Sequence, residues 1–189
     1  MMRPLAQIDD EECAARAQRG EGKAFSELVR RYQDRVYRFL LRLTRSQDDA
    51  LDLTQDTFLR AYQGLERWRP QALFRTWLFR IARNAAFDLL RRDKRVEFVE
   101  LEEDAEIVDT AAGPEAVLET AQRYRLLESA LERLPAEHRE IVLLRDIEEM
   151  SYEEIAQVLD LNIGTVKSRI ARARATLADR MQCRLEKSP

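Results

Sequence analysis

Near its C-terminal end the chain reads GTVKSRIARAR over residues 164–174, and the chemistry open to such a stretch is contact with a polyanion. Lys167, Arg169, Arg172 and Arg174 are cations long enough to reach backbone phosphates, and the hydroxyl of Ser168 can donate to a phosphate oxygen. Arg172 suits a bidentate contact to guanine, with Lys167 second. At helical spacing Val166, Ile170, Ala173, Leu177 and Met181 share one face, and Ser168, Ala171, Arg172 and Ala175 lie opposite. Small residues on that outward face, Ala171 among them, let a helix come close to a groove.

A second set of groups lies in residues 67–95, with nine Arg or Lys against two Asp or Glu. Trp68, Phe74, Trp77, Phe79 and Phe87 alternate there with Arg69, Arg75, Arg80, Arg83, Arg91 and Arg92. Aromatic rings beside guanidinium groups can stack unpaired bases while the cations follow the backbone. Phe74 falls with Leu78 and Ile81 on the side expected to be core, whereas Phe79, Arg80, Arg83 and Phe87 fall opposite with Thr76. Two readings of these aromatics stand: they stack bases, or the helix is buried on two sides and they pack.

Other chemistries lack their groups. The single histidine, His138 in PAEHREI, reads as an exposed helix residue with no partner ligand or nucleophile near it in sequence. Cys13 and Cys183 have no metal-ligand spacing and read as free thiols in a reducing compartment. No metal and no cofactor is expected, and no catalytic constellation stands out among the carboxylates.

The elements that position these groups are helices. Only five glycines and five prolines occur in 189 residues, and no strand-like alternation is visible. Phe25, Leu28, Val29, Tyr32, Val36, Phe39, Leu40 and Leu43 make one stripe; Ser46 and Asp49 have capping-box spacing before a helix carrying Ala50, Leu53, Phe58, Ala61, Tyr62 and Leu65. Pro70 marks a loop, and a further helix with Phe74, Leu78, Ile81, Ala85 and Leu89 follows. Helices resume near Val117 and run to Leu134, and Pro135 opens another over about 137–147. Ser151 and Glu154 form a capping box, Asp160-Leu161-Asn162 a turn with Asp160 left-handed, and Asn162 an N-cap: a helix-turn-helix.

The net charge of −3 hides strong segmentation. Residues 97–119 hold nine Asp or Glu and no Lys or Arg, between the two basic blocks. With Gly113-Pro114 this stretch reads as a tether between domains or as an acidic surface loop. No apolar run is long enough to cross a bilayer, and MMRPLAQIDDEE lacks the apolar core of a signal peptide, so a cytoplasmic location is expected.

The run from Asp49 to Arg95, with TWLFRIARN at its centre, resembles the second conserved region of the extracytoplasmic-function (group IV, sigma-E-like) sigma factors of the sigma-70 family. LPAEHREIVLLRDIEEMSYEEIAQVLDLNIGTVKSRIARARATL is similar to their fourth region. The resemblance implies an all-α chain of two small helical domains. Region 2 would be a bundle over 1–95, an acidic flexible linker would span 96–116, and region 4 would be the helix-turn-helix domain over 117–189. It implies a non-catalytic, stress-responsive initiation subunit of bacterial RNA polymerase. By similarity Asp49, Asp52, Gln55 and Asp56 dock on the clamp helices of the largest polymerase subunit, and region 4 on the flap. Trp68, Arg69, Gln71, Phe74, Arg75, Trp77, Arg80, Arg83 and Asn84 would bind and melt the −10 element as single strand. Thr165, Lys167, Ser168, Arg169, Ala171, Arg172 and Arg174 would read the −35 element as duplex. The loop 67–73 departs from many relatives in carrying Pro70-Gln71 where they have Gly-Asp or Gly-Glu. A separate anti-sigma factor is the further partner implied, with no membrane insertion by the chain itself.

Overall fold

The computed structural model describes residues 4–70, 72–96 and 115–185. Eight α-helices and no strand occur among them: α1 Asp10–Gln18, α2 Gly22–Thr44, α3 Gln47–Gly64, α4 Phe74–Val96, α5 Glu115–Glu132, α6 Ala136–Val142, α7 Tyr152–Leu159 and α8 Ile163–Leu185. Gln71 and nearly all of the acidic stretch 96–116 lie outside the described residues.

In the first half α2 is the central helix. Leu28, Tyr32, Val36, Phe39, Leu40 and Leu43 are buried along it, as the 3.6-residue stripe requires. It ends at Arg45, whose left-handed backbone (φ 66°) returns its N–H to the Leu41 carbonyl. Ser46 then accepts from the Asp49 N–H at 3.2 Å and starts α3. Helix α4 completes the bundle through Phe74, Leu78, Phe79, Ala82 and Ala86. Phe79 is 0 % exposed and meets Phe39 edge-on at 5.3 Å. The reading in which the outward aromatics of α4 are buried on a second side therefore holds for Phe79.

Helix α1, which the apolar pattern did not single out, fixes the loop before α4. Gln18 donates to the carbonyls of Leu65 and Trp68 at 2.7 and 2.9 Å, and Glu11 accepts from the Phe74 N–H at 3.1 Å. Asp10 holds Tyr32 and Arg31 of α2, so the loop is tied to the bundle through α1.

In the second half Pro135 precedes α6, which runs into a π-helical turn at Leu143–Ile147. The Glu148 N–H reaches back to the Leu143 carbonyl at 2.9 Å, closing the wide turn. The Ser151–Glu154 capping box forms with both of its hydrogen bonds, Asp160 is left-handed (φ 54°), and Asn162 accepts from the Thr165 N–H at 2.8 Å. Ile155, Val158, Val166, Ile170 and Ala173 close the helix-turn-helix core. His138 is half-buried rather than exposed, because α6 lies against α8.

The two halves pack directly on each other, α7 against α4 and α6 against α2. No helix among the described residues is long and apolar enough to cross a membrane.

Candidate nucleic-acid interface

On α8 the residues singled out by spacing fall where the spacing puts them. Lys167, Ser168, Ala171, Arg172 and Ala175 are exposed, and Thr165 and Arg169 half-exposed. Ser168 donates to the Thr165 carbonyl at 3.0 Å, and Arg172 to the Ser168 carbonyl at 3.3 Å, which lays the guanidinium along the helix. The Lys167 ammonium lies 5.8 Å from the centre of the Tyr152 ring. Arg174 differs from its neighbours: it is ion-paired to Asp146 at the π-helical turn, which points it back toward the domain. The surface built here is a convex helix with cations at its margins and two alanines on its crest. That shape fits the major groove of a duplex.

The second surface surrounds the loop after α3. Arg67, Trp68, Arg69, Ala72, Trp77 and Arg80 line a cleft of about 430 Å³, whose other wall is Gln157 and Asp160 of the helix-turn-helix. Arg69 donates to the carbonyls of Glu66 and Trp68 at 2.8 and 3.0 Å, and so stiffens the loop. Phe74 lies in the core, as its place beside Leu78 and Ile81 predicts, and Trp68 joins it there. Trp68 is 2 % exposed and Phe74 0 %, stacked among each other, Tyr32 and Trp77 in the bundle core. Their part is to seat the loop. Trp77, half-exposed, is the indole available at the cleft. Along α4, Arg80 and Asn84 are exposed, and the Arg83 guanidinium lies 4.2 Å over the Phe87 ring.

A third surface is the outer face of α3. Asp52 and Gln55 are exposed there, Asp49 and Asp56 half-exposed, and Asp56 pairs with Arg60 one turn on at 2.8 Å. Leu51, Leu59 and Tyr62 are exposed on the same helix; Tyr62 had been expected in the stripe but is 59 % exposed. A face that mixes carboxylates with large apolar side chains suits a basic partner with an apolar strip.

Sequence reasoning missed the residues that join the halves. Arg75 donates to both oxygens of Glu154 at 2.6 and 2.8 Å, and Thr76 reaches the same carboxylate at 3.4 Å. Arg83 meets Glu140 at 2.8 Å, Arg35 meets Glu148 at 2.7 Å, and Arg42 meets Glu128 at 2.6 Å. Burial raises the carboxyls of Glu140 and Glu148 above the ordinary range, against the opposing pull of Arg83 and Arg35. Burial also pushes Glu154 upward, but the Ser151 N–H and Arg75 outweigh it and hold it below its ordinary value. Arg139 is 4 % exposed and donates to five carbonyls: Leu131, Glu132, Leu134, Arg42 and Leu43. Burial and the charge of Arg45 bring it down to about 10, which leaves it cationic at neutral pH. The available signal was a charge inside an apolar stripe, since Glu140 lies one residue before Ile141 and one helical turn before Leu144.

Comparison with known proteins finds a family match in each half of the chain. The family model for Sigma-70 region 2 matches residues 28–96, and that for Sigma-70 region 4 matches residues 124–177. An ECF RNA polymerase sigma-E factor of Haemophilus influenzae is 36 % identical over 184 residues, covering 93 % of this chain and 97 % of that one. The ECF RNA polymerase sigma factor SigE of Mycolicibacterium smegmatis is 42 % identical over 157 residues, 82 % of this chain but 61 % of its own length. Among solved structures, CnrH in complex with the cytosolic domain of CnrY shares 32 % identity at a TM-score of 0.69 over 92 % of this chain. RpoE of Bartonella quintana, in complex with the anti-sigma factor NepR, shares 27 % at 0.70 over 85 %.

Proposed function

Because the chain belongs to the extracytoplasmic-function sigma factors of the sigma-70 family, we propose the following division of labour for its surfaces. The chain binds core RNA polymerase and directs promoter-specific initiation; the chemistry of RNA synthesis belongs to the polymerase, and this subunit positions it. Helix α8 reads the −35 duplex, with Arg172 and Lys167 on base edges and Thr165, Ser168 and Arg169 on phosphates. Arg174, tied to Asp146, orients the helix on its domain and contacts the backbone at the margin.

The cleft at the loop after α3 takes the −10 strand. Unstacking a base costs a few kcal/mol, and a pocket offering Trp77 as a stacking face and Arg67, Arg69 and Arg80 as phosphate partners offsets part of it. Gln71 belongs to that loop by sequence. Arg75, Arg83 and Asn84 continue the basic track along α4. On α3, Asp49, Asp52, Gln55 and Asp56 dock on the clamp helices of the largest polymerase subunit, and the second half contacts the flap. The domain limits 1–95, 96–116 and 117–189 follow this division. An anti-sigma factor is the regulatory partner, and the chain works in the cytoplasm, reaching the inner membrane only through such a partner.

The observation that carries this reading is the pairing of a groove-shaped basic helix with an arginine–tryptophan cleft in one chain. A duplex repressor needs the helix alone. The test is complex formation: the chain should co-elute with purified core polymerase and confer selective retention of promoter fragments from a genomic library. Selective retention by the chain without polymerase would favour a conventional operator-binding regulator.

A further inference from the structure

Helix α1 carries no residue assigned to DNA or polymerase, yet two of its side chains grip the loop between α3 and α4 at both ends. Gln18 directs its amide hydrogens to the Leu65 and Trp68 carbonyls, at 2.7 and 2.9 Å. Glu11 accepts from the Phe74 N–H at 3.1 Å, where α4 begins. The two stand seven residues apart, so they share one face of α1 across about 10 Å of helix. That helix is itself fixed to the bundle: Cys13 and Ala14 are fully buried, and Asp10 pairs with Arg31 of α2 at 2.7 Å. We propose that α1 is the gauge that sets the span of the loop, and that Gln18 is a positioning residue for −10 recognition. It holds the cleft of Arg67, Arg69, Trp77 and Arg80 in the frame that selects the captured base. This rests on the proposed −10 role of the cleft.

Two main-chain turns shape the loop, from the Trp68 N–H to Leu65 at 3.1 Å and from the Ala72 N–H to Arg69 at 3.2 Å, and Pro70 contributes no donor. The Leu65 and Trp68 carbonyls each accept twice. Leu65 takes the Trp68 N–H and Gln18, and Trp68 takes Arg69 and Gln18. Gln18 therefore bridges the two ends of the turn that closes α3 and presents Arg67 and Arg69 to the cleft. The stacking face is seated beside the same turn. The Trp77 indole lies against Gly64, where a β-carbon would stand 3.4 Å from the ring, and against Phe74 at 5.8 Å between ring centres. Without the bridge, the arginines keep their charge and the indole its face, but the spacing between them is no longer fixed. A base then gains less from the pocket, because ordering the loop on binding costs part of the gain. A mobile loop also adapts to bases of other shapes, so discrimination falls with affinity. Among the described residues the hydrogen bonds of Gln18 and Glu11 end on the loop and on Phe74, so their loss acts on the single strand and spares the duplex read by α8.

The test uses the full chain bound to core polymerase and a pool of short single strands of random sequence, sequenced before and after retention. Gln18→Met keeps the length of the side chain and removes both donors. It should lower the enrichment of the preferred base at the captured position about tenfold, as expected for two neutral hydrogen bonds that preorganise a loop. Gln18→Glu turns a carboxylate toward two carbonyl oxygens and should flatten the preference at least as far. Glu11→Ala acts at the other end of the loop, should shift the preference in the same direction, and serves if neither Gln18 variant folds. Trp68 and Trp77 are the two tryptophans of the chain, so intrinsic fluorescence reads the loop directly. Acrylamide should quench the buried Trp68 in the Gln18 variants as well as the half-exposed Trp77. Ser46→Ala controls for stability alone, since it removes the cap at the far end of α3. It should lower the melting temperature and leave the base preference and the quenching unchanged. Preference among random duplexes, read through α8, should be the same in every variant. An unchanged single-strand preference in Gln18→Met, or an equal loss in Ser46→Ala, overturns the inference. A parent complex that enriches no single-strand sequence would instead overturn the −10 reading on which the inference rests.

Discussion

Replacing Arg139 with methionine tests the account of how the second half is held together and docked. The guanidinium is buried without an opposing carboxylate in hydrogen-bond contact; its partners are five main-chain carbonyls at the ends of α2 and α5 and in the turn before α6. Methionine roughly refills the aliphatic volume, so little of the effect comes from a cavity. What is lost is the donor set. Three of the bonds, to Leu43, Leu131 and Leu134, are fully buried. At about 1 kcal/mol each, the low end for a stranded buried acceptor, they put the loss near 3 kcal/mol. Arg139→Lys should recover less than half, because one ammonium carries three donors and no fork. Denaturant unfolding of the full chain, followed by circular dichroism, measures both. A loss below about 1 kcal/mol for the methionine variant would refute the reasoning, since water would then be replacing bonds described here as dry.

Other outcomes follow from the same geometry. Arg172→Ala should lower initiation at promoters that depend on the −35 element, by about 1–3 kcal/mol per lost base contact, and leave core binding unchanged in a co-elution assay. Asp52→Arg should do the reverse, weakening core binding while duplex affinity stays the same. Asp160→Ala should cost about 1 kcal/mol in melting experiments and Asp160→Gly should not, because φ is 54° there and only glycine takes that conformation freely. Acid should tighten the packed form before it breaks it. Glu140, facing Arg83, Glu137 and Arg169, and Glu148, facing Arg35, Arg75 and Arg42, are raised by burial, so the packed form holds protons that the open form releases. Scattering should show constant or smaller dimensions as pH falls from neutral toward the ordinary carboxylate range, and expansion only below that range, where Glu154, held low by Ser151 and Arg75, loses its charge.

Local rules carried the reading of the helix-turn-helix almost completely. Capping at Ser151, the left-handed Asp160 and the cap at Asn162 are each decided within a few residues of chain, and the structure repeats them. The faces of α8 follow from the helical period alone. Helix α4 shows where that period stops informing: α2, α3 and α7 all pack on it, and Phe79, off the stripe that was legible, is buried against Phe39 of α2. Tyr62 is the converse case, an apolar side chain in phase with the stripe but left outside on α3. The Arg75–Glu154 and Arg83–Glu140 contacts span 79 and 57 residues, and no local pattern encodes which glutamate a distant arginine will meet. For the cleft, the arginines and tryptophans were visible as composition, but which indole faces solvent was decided by α1, whose Gln18 and Glu11 set the loop.

The measurement that bears most directly on the account is run-off transcription with purified core bacterial RNA polymerase and a library of genomic promoter fragments, with and without this chain. The account predicts specific transcripts only when the chain is present, with shared sequence elements near −10 and −35 upstream of their starts. If the chain instead bound DNA alone and never directed initiation, the central claim would be contradicted, and the arginine–tryptophan cleft and the acidic face of α3 would require another purpose.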